Sequence, residues 1–316
     1  MDLLFIIGGL IVLIAGGNWL LKAAIGFSLR LNIPKIVIGM TVVSFATSAP
    51  ELIVSVNAAL NGSADLAFSN VIGSNIANLG LVLGITILLS TISVEKSFYI
   101  TDWPMMMLAS VVLYLFIAFD GELQRYEGAI LFVSLIVFLV YLLKFKKNVV
   151  SDEIPEEGIT TPLYKDILYM VLGGVALYGG SELLIRGAVS IAAFYQISES
   201  VVGITIVSIG TSVPELAASI IAIIKKEKAI SLGNLIGSNI FNIMAVLGIT
   251  SMIIPIKVSD PRLLEMDIFW MLGVSIIVLP LIFVPKYMKL GWREGLFLLA
   301  TYLIFIYNII KITEFS

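Results

Sequence analysis

Apolar residues run along the chain in ten stretches closed by charged or turn-forming residues, near 3–29, 34–60, 66–92, 103–119, 128–144, 166–191, 199–224, 229–255, 266–284 and 293–312. Stretches of this length predict membrane-spanning helices, because lipid offers the backbone no hydrogen-bond partner and a helix satisfies its own polar groups within one segment. The longest interruption, Lys146 to Pro162, holds Asp152, Glu153, Glu156 and Glu157 and reads as a linker. The chain then divides into a first five-helix repeat over 1–145, a cytoplasmic linker over 146–163 and a second five-helix repeat over 164–316. Met1 to Leu21 lacks the positive start of a signal peptide and reads as the first span. Of the 19 lysines and arginines, 14 gather on the linker face, which places that face in the cytoplasm and both termini outside.

The two halves repeat one another. A shift of 164 residues lays Gly39–Thr86 on Gly203–Thr250 with 23 of 48 positions identical and no gap. GMTVVSFATSAPEL matches GITIVSIGTSVPEL, and SNVIGSNIANLGLVLGIT matches GNLIGSNIFNIMAVLGIT. Five spans per half is an odd number, so the second copy enters the membrane from the opposite side. The expected fold class is an all-α membrane protein of ten transmembrane helices in two inverted repeats. Such folds hold a substrate near the midplane where the repeats meet.

Inside the repeated segment the apolar pattern is broken at equivalent places. Pro50 and Pro214 each remove the N–H that would have bonded the carbonyl four residues back, on Ala46 and Gly210. Discontinuous helices are therefore expected at the site, with backbone carbonyls freed toward a cation. Each proline precedes an acid, Glu51 or Glu215, at a depth where an unpaired carboxylate costs roughly 2–4 kcal/mol. No basic residue lies near either glutamate in its apolar run, so a bound cation or a proton is the natural counter-charge. Hard oxygen donors accompany them: Ser44, Thr47 and Ser48 in the first copy, Ser208, Thr211 and Ser212 in the second. In the next span Ser74 and Asn78, like Ser238 and Asn242, are spaced to share one helical face. Asn75 and Asn239 read as glue between helices, Gly73 and Gly237 as points of close backbone approach, and Trp103, Trp270 and Trp292 as interfacial anchors.

Composition narrows the chemistry. Hydrophobic residues make up 59% of the chain and charged residues 13%, with a mean hydropathy of +1.07, so the bilayer is the solvent. A net charge of -3 gives no basic surface for nucleic acid. Without cysteine or histidine there are no disulfides, thiolate metal sites or imidazole relays, and an all-oxygen donor set suits calcium or sodium. The convergent acids lack a nucleophile or a cofactor motif, so neither an enzyme nor a resident cofactor is expected. A channel would build its pore by subunit symmetry, whereas two inverted copies in one chain suit a closed site exposed alternately.

FATSAPE and GTSVPE, each followed by GSNIxN, resemble the two alpha-repeats of the sodium/calcium exchanger family, within the calcium/cation antiporter superfamily. The resemblance covers most of the chain and implies adjoining cation positions. Calcium would be held by Glu51, Glu215 and the carbonyls of Thr47 and Thr211, with Ser74, Ser238, Ser48, Ser212 and the carbonyls of Ser44 and Ser208 added for sodium. Several family members have an aspartate where this chain has Asn242, the mirror of Asn78, which leaves two carboxylates in the site. The family implies sodium-driven calcium antiport by alternating access, electrogenic at about three sodium ions per calcium. Its direction would be calcium extrusion across the plasma membrane, with a monomer as the functional unit. Related calcium/proton exchangers carry GNxxE in place of TSxPE; proton coupling through the glutamates and potassium co-transport stay open as alternatives.

Overall fold

The structure is a computed structural model and describes residues 2–145, 162–194 and 208–315. Helix α1 (Asp2–Leu31) is followed by α2 (Lys35–Thr47), α3 (Ala49–Leu60), α4 (Ala64–Leu89), α5 (Phe98–Ile117) and α6 (Arg125–Phe145). The second half repeats the order with α7 (Leu163–Phe194), α8 (Ser208–Thr211), α9 (Val213–Ile224), α10 (Lys228–Ile253), α11 (Leu263–Leu281) and α12 (Trp292–Phe315). Among the described residues, eight helices are long and apolar enough to cross a membrane, and α2 with α3 forms one further span bent by 43°. The expected linker at 146–163 and the start of the span expected at 199–224 lie almost wholly outside the described residues.

Helices α4 and α10 form the centre. Their most apolar windows are 78% and 83% buried, against 22–39% for the other long helices, whose outer faces are left to lipid. Helix α2 packs on α10 at backbone distance: a Cβ added at Gly39 would stand 2.4 Å from the Ile230 carbonyl, and one at Gly233 would stand 2.3 Å from that of Ile36. Where lipid tails are as apolar as leucine, such small-residue approach is what holds helices together. Helices α1 and α7 pair antiparallel in the same way, Gly9 against Gly180 and Gly16 against Gly173, and Arg30 of α1 closes one end with a 3.0 Å ion pair to Asp166 of α7.

Two short antiparallel ladders join the halves. Strand β1 (Ile92–Ser93) pairs with β4 (Lys289–Leu290), and β2 (Glu122–Leu123) with β3 (Ile256–Lys257). Runs of two residues are too short for a period-two pattern to announce them. The Trp103 indole N–H donates to the Ser275 carbonyl at 2.7 Å and so ties α5 to α11. An indole donor set between helices needs a partner that lipid does not supply.

Candidate cation site

The proline breaks place the acids. Helix α2 ends at Thr47; Ser48 takes φ -86° and ψ 0°, and α3 begins with Pro50 in its first turn, where a missing N–H costs nothing. Ser212 repeats this with φ -87° and ψ 1° before Pro214 in α9. Glu51 and Glu215 therefore stand in the first turn of α3 and α9, at the end where exposed N–H groups favour negative charge. On α4 and α10, Asn78 and Asn242 open π-helical turns, over Asn78–Val82 and Asn242–Leu247, one turn after Ser74 and Ser238. Such turns recur at functional sites because they leave the regular ladder of hydrogen bonds.

The site is one cluster built from both repeats. Glu51 and Glu215 are both fully buried and near enough to repel one another. The hydroxyls of Thr47, Ser48 and Ser238 lie near the Glu215 carboxylate without making a hydrogen bond to it, so first-repeat oxygens approach the second repeat's acid. Thr47 Oγ1 lies 3.3 Å from Ser238 Oγ, and Asn242 donates to Ser74 Oγ at 3.0 Å. Neither glutamate takes part in an ion pair among the described residues, and no third acidic side chain converges with them there.

The polar atoms divide into those that hold the scaffold and those left facing the cluster. Asn78 donates its amide to Asn239 Oδ1 at 3.1 Å, and Asn242 donates to Asn75 Oδ1 at 3.1 Å. Asn75 and Asn239 in turn donate to each other's backbone carbonyls at 3.3 and 3.2 Å, which pins α4 to α10. With their N–H groups engaged, Asn78 and Asn242 are left with an unpartnered Oδ1 each. Both carboxylate oxygens of Glu51 and of Glu215 and the hydroxyls of Ser48 and Ser212 are also buried without a hydrogen-bond partner. That makes eight orphan oxygens in one symmetric set. At about 1–3 kcal/mol for each unsatisfied buried group, such a set would cancel the whole stability of an ordinary domain, about 5–15 kcal/mol. The arrangement fits a hard cation, which takes six to eight oxygen ligands.

Other residues proposed from the sequence take different parts. The Ser44 hydroxyl lies within 2.8 Å of the Gly39 carbonyl and 2.9 Å of that of Asn234, so it ties α2 to α10. The Ser44 carbonyl accepts the Ser48 N–H at 2.9 Å. Thr211 is half-buried at the end of α8, and the backbone of Ser208 begins that helix. The Gly210 carbonyl, expected free, accepts the Ser181 hydroxyl of α7 at 2.6 Å. The first repeat has Gly17 at the position equivalent to Ser181, so no hydroxyl there can reach Ala46. The two breaks are thus alike in backbone and unlike in their carbonyl partners.

A second polar layer escaped notice in the sequence. Asn234 accepts from Thr47 at 3.2 Å and donates to Ser219 at 3.4 Å, while Asn70 donates to Ser55 at 3.1 Å. Both pairs were visible as identical positions in the repeat, one helical turn from the ligand candidates. The framework can be tested at Asn239: alanine there leaves Asn78 Nδ2 and the Asn75 carbonyl unpaired. The expected outcome is a loss of about 1–3 kcal/mol in thermal unfolding together with weaker calcium stabilisation; unchanged calcium affinity would show that Asn78 needs no such holding.

Comparison with known proteins agrees with this geometry. The family model described as "Sodium/calcium exchanger protein" matches residues 1–144 and 165–311. The "Putative antiporter CaxA" of Alkalimonas amylolytica is 37% identical over 310 residues, covering 95% of this chain and 96% of the relative. The "Inner membrane protein YrbG" of Escherichia coli (strain K12) is 35% identical over 283 residues, 86% of each chain. A solved structure of the sodium-calcium exchanger NCX_Mj, soaked with sodium and calcium, superposes with a TM-score of 0.79 at 28% identity over 96% of both chains. With its inverted repeats, its broken helices and a cluster of buried oxygens where they meet, the chain is a membrane antiporter that belongs to the sodium/calcium exchanger family.

Proposed function

We propose that this antiporter is driven by sodium and moves calcium out of the cytoplasm by alternating access, with the cluster around Glu51 and Glu215 as the shared ion site. The observation that carries the reading is the set of eight buried, unpartnered oxygens drawn equally from both repeats. Calcium would be balanced by the two carboxylates, with Thr47 and Thr211 contributing carbonyls. Sodium would draw on the same carboxylates with Ser48, Ser212, Ser74 and Ser238, the carbonyls of Ser44 and Ser208, and the amide oxygens of Asn78 and Asn242. Competition for one set of oxygens couples the two fluxes, and the charge of the empty site opposes crossing unloaded. An inner-membrane relative and the excess of basic residues on the linker face support a plasma-membrane location with both termini outside. The whole cluster is built within one chain, which supports a monomer as the functional unit.

Two carboxylates neutralise one calcium ion and leave about three sodium ions one charge in excess, so each cycle moves one net charge. A membrane potential of 100 mV then shifts the calcium ratio at equilibrium by about fiftyfold, from about 2.3 kcal/mol per charge. Isotopic calcium flux into proteoliposomes under imposed sodium, potassium and proton gradients tests the scheme. Uptake should follow the sodium gradient and respond to voltage; calcium flux that tracks pH in sodium-free buffer would reject sodium coupling in favour of protons.

A further inference from the structure

At the cytoplasmic end of the proposed orientation, the turn between α11 and α12 encloses a cavity of about 250 Å³ lined by Lys286, Lys289, Trp292 and Arg293, with Thr91 on its far wall. Lys228 donates to the Thr91 carbonyl at 2.7 Å, which brings a fourth cation to the rim. The single acid lining the cavity, Glu294, is 5% exposed and already accepts the Gly291 N–H at 2.6 Å. Trp292 is 58% exposed, and the Arg293 guanidinium lies 5.4 Å from its ring centroid. The first turn of α12 also presents its N-terminal end here, which favours an anion.

The other repeat shows that Lys289 and Arg293 are not needed to build the strand and the cap. A shift of 167 residues lays Glu122–Leu123 of β2 on Lys289–Leu290 of β4, and Glu127, which accepts the Gln124 N–H at 2.8 Å, on Glu294. In that copy the places of Lys289 and Arg293 are taken by Glu122 and Tyr126, and the turn before the strand is shorter, 118–121 against 282–288, with no counterpart of Lys286. The same strand and cap therefore form without a basic residue at either position, and the longer turn adds Lys286 beside them. We infer that Lys286, Lys289 and Arg293 form a binding site for the phosphate of an anionic phospholipid headgroup, with Trp292 set in the bilayer interface beside it. A phosphate diester supplies the acceptor oxygens that the cations and the helix end lack, and an exposed tryptophan at headgroup depth favours a membrane-borne ligand over a free one. Because β4 pairs with β1, a headgroup seated here would brace the junction of the two repeats.

The test uses the full chain in nanodiscs of phosphatidylcholine mixed with phosphatidylglycerol, with lipid retention read by native mass spectrometry. Each cation near the surface contributes about fivefold in affinity, so K286Q/K289Q/R293Q should retain phosphatidylglycerol about a hundredfold more weakly. The control K165Q/K225Q/K226Q removes the same charge from exposed positions on that face and should retain it as wild type does. Equal losses in the two variants would reduce the effect to diffuse surface charge and overturn the site, as would equal retention of phosphatidylcholine. Inorganic phosphate alone, added in detergent, should leave the unfolding temperature unchanged; stabilisation by it that the first variant abolishes would overturn the lipid assignment.

Discussion

Replacing Glu51 or Glu215 with glutamine is expected to abolish calcium transport while leaving the protein folded. Each acid is completely buried, and neither carboxylate has a hydrogen-bond partner. Glutamine keeps the shape but removes one of the two charges proposed to balance calcium. Removing one partner of a buried charge pair costs about 3–5 kcal/mol, so calcium affinity should fall a few hundred- to a few thousand-fold. Stability without ions should move the other way. Two like charges repelling in a buried site are a liability, and each glutamine variant relieves it. Thermal unfolding in ion-free buffer should therefore find the variants no less stable than wild type, while added calcium raises the unfolding temperature of wild type alone. A variant that still transports at the wild-type rate, or a wild type indifferent to calcium, would remove these residues from the ion site.

The second large effect is expected from one methyl group at Gly237. A Cβ there would stand 2.3 Å from Ser44 Oγ, 2.6 Å from Met40 Cα and 2.7 Å from the Met40 carbonyl. Two of those three atoms are backbone, which no rotamer change can move aside. Gly237→Ala must push α2 away from α10, and overpacking of this kind costs roughly 1–3 kcal/mol or more. The functional cost should be larger than the stability cost. Thr47 at the end of α2 lies 3.3 Å from Ser238, the residue after Gly237, so a displacement there opens the cluster at its centre. Expected results are a lowered unfolding temperature and calcium flux reduced at least tenfold. Wild-type flux in Gly237→Ala would mean that the two helices are not held in register by this contact. Glycine at 237 was read as a point of close approach, and the structure names the helix that approaches.

Much of the fold was legible because the bilayer imposes it. Apolar runs of sufficient length had to be helices, and the 164-residue repeat tied the two halves together. The acids were legible for the same reason: Glu51 and Glu215 beside prolines in lipid-depth runs demand compensation. The scaffold of the site was less so. Ser44 was grouped with the ligands by its neighbours, yet its hydroxyl serves the α2–α10 contact. The Gly210 carbonyl was expected free because Pro214 removes its helical donor, but Ser181, from a helix 29 residues away, replaces it. Proximity along the chain says nothing about a partner supplied by another helix.

The solvent, the inverted repeat, the places where helices break and the two buried acids that need compensation were all set by the amino-acid order, because each follows from the cost of polar groups in lipid or from identity between segments. Which donors meet was settled by the packing of the helices. It joined Thr47 to Ser238 and Ser74 to Asn242 across the repeats, and it turned Asn75 and Asn239 into the frame that frees the oxygens of Asn78 and Asn242. Those outcomes depend on how helices rotate and approach one another, and that is set by close packing at glycines such as Gly39, Gly233 and Gly237, a property of surfaces in contact rather than of any one segment.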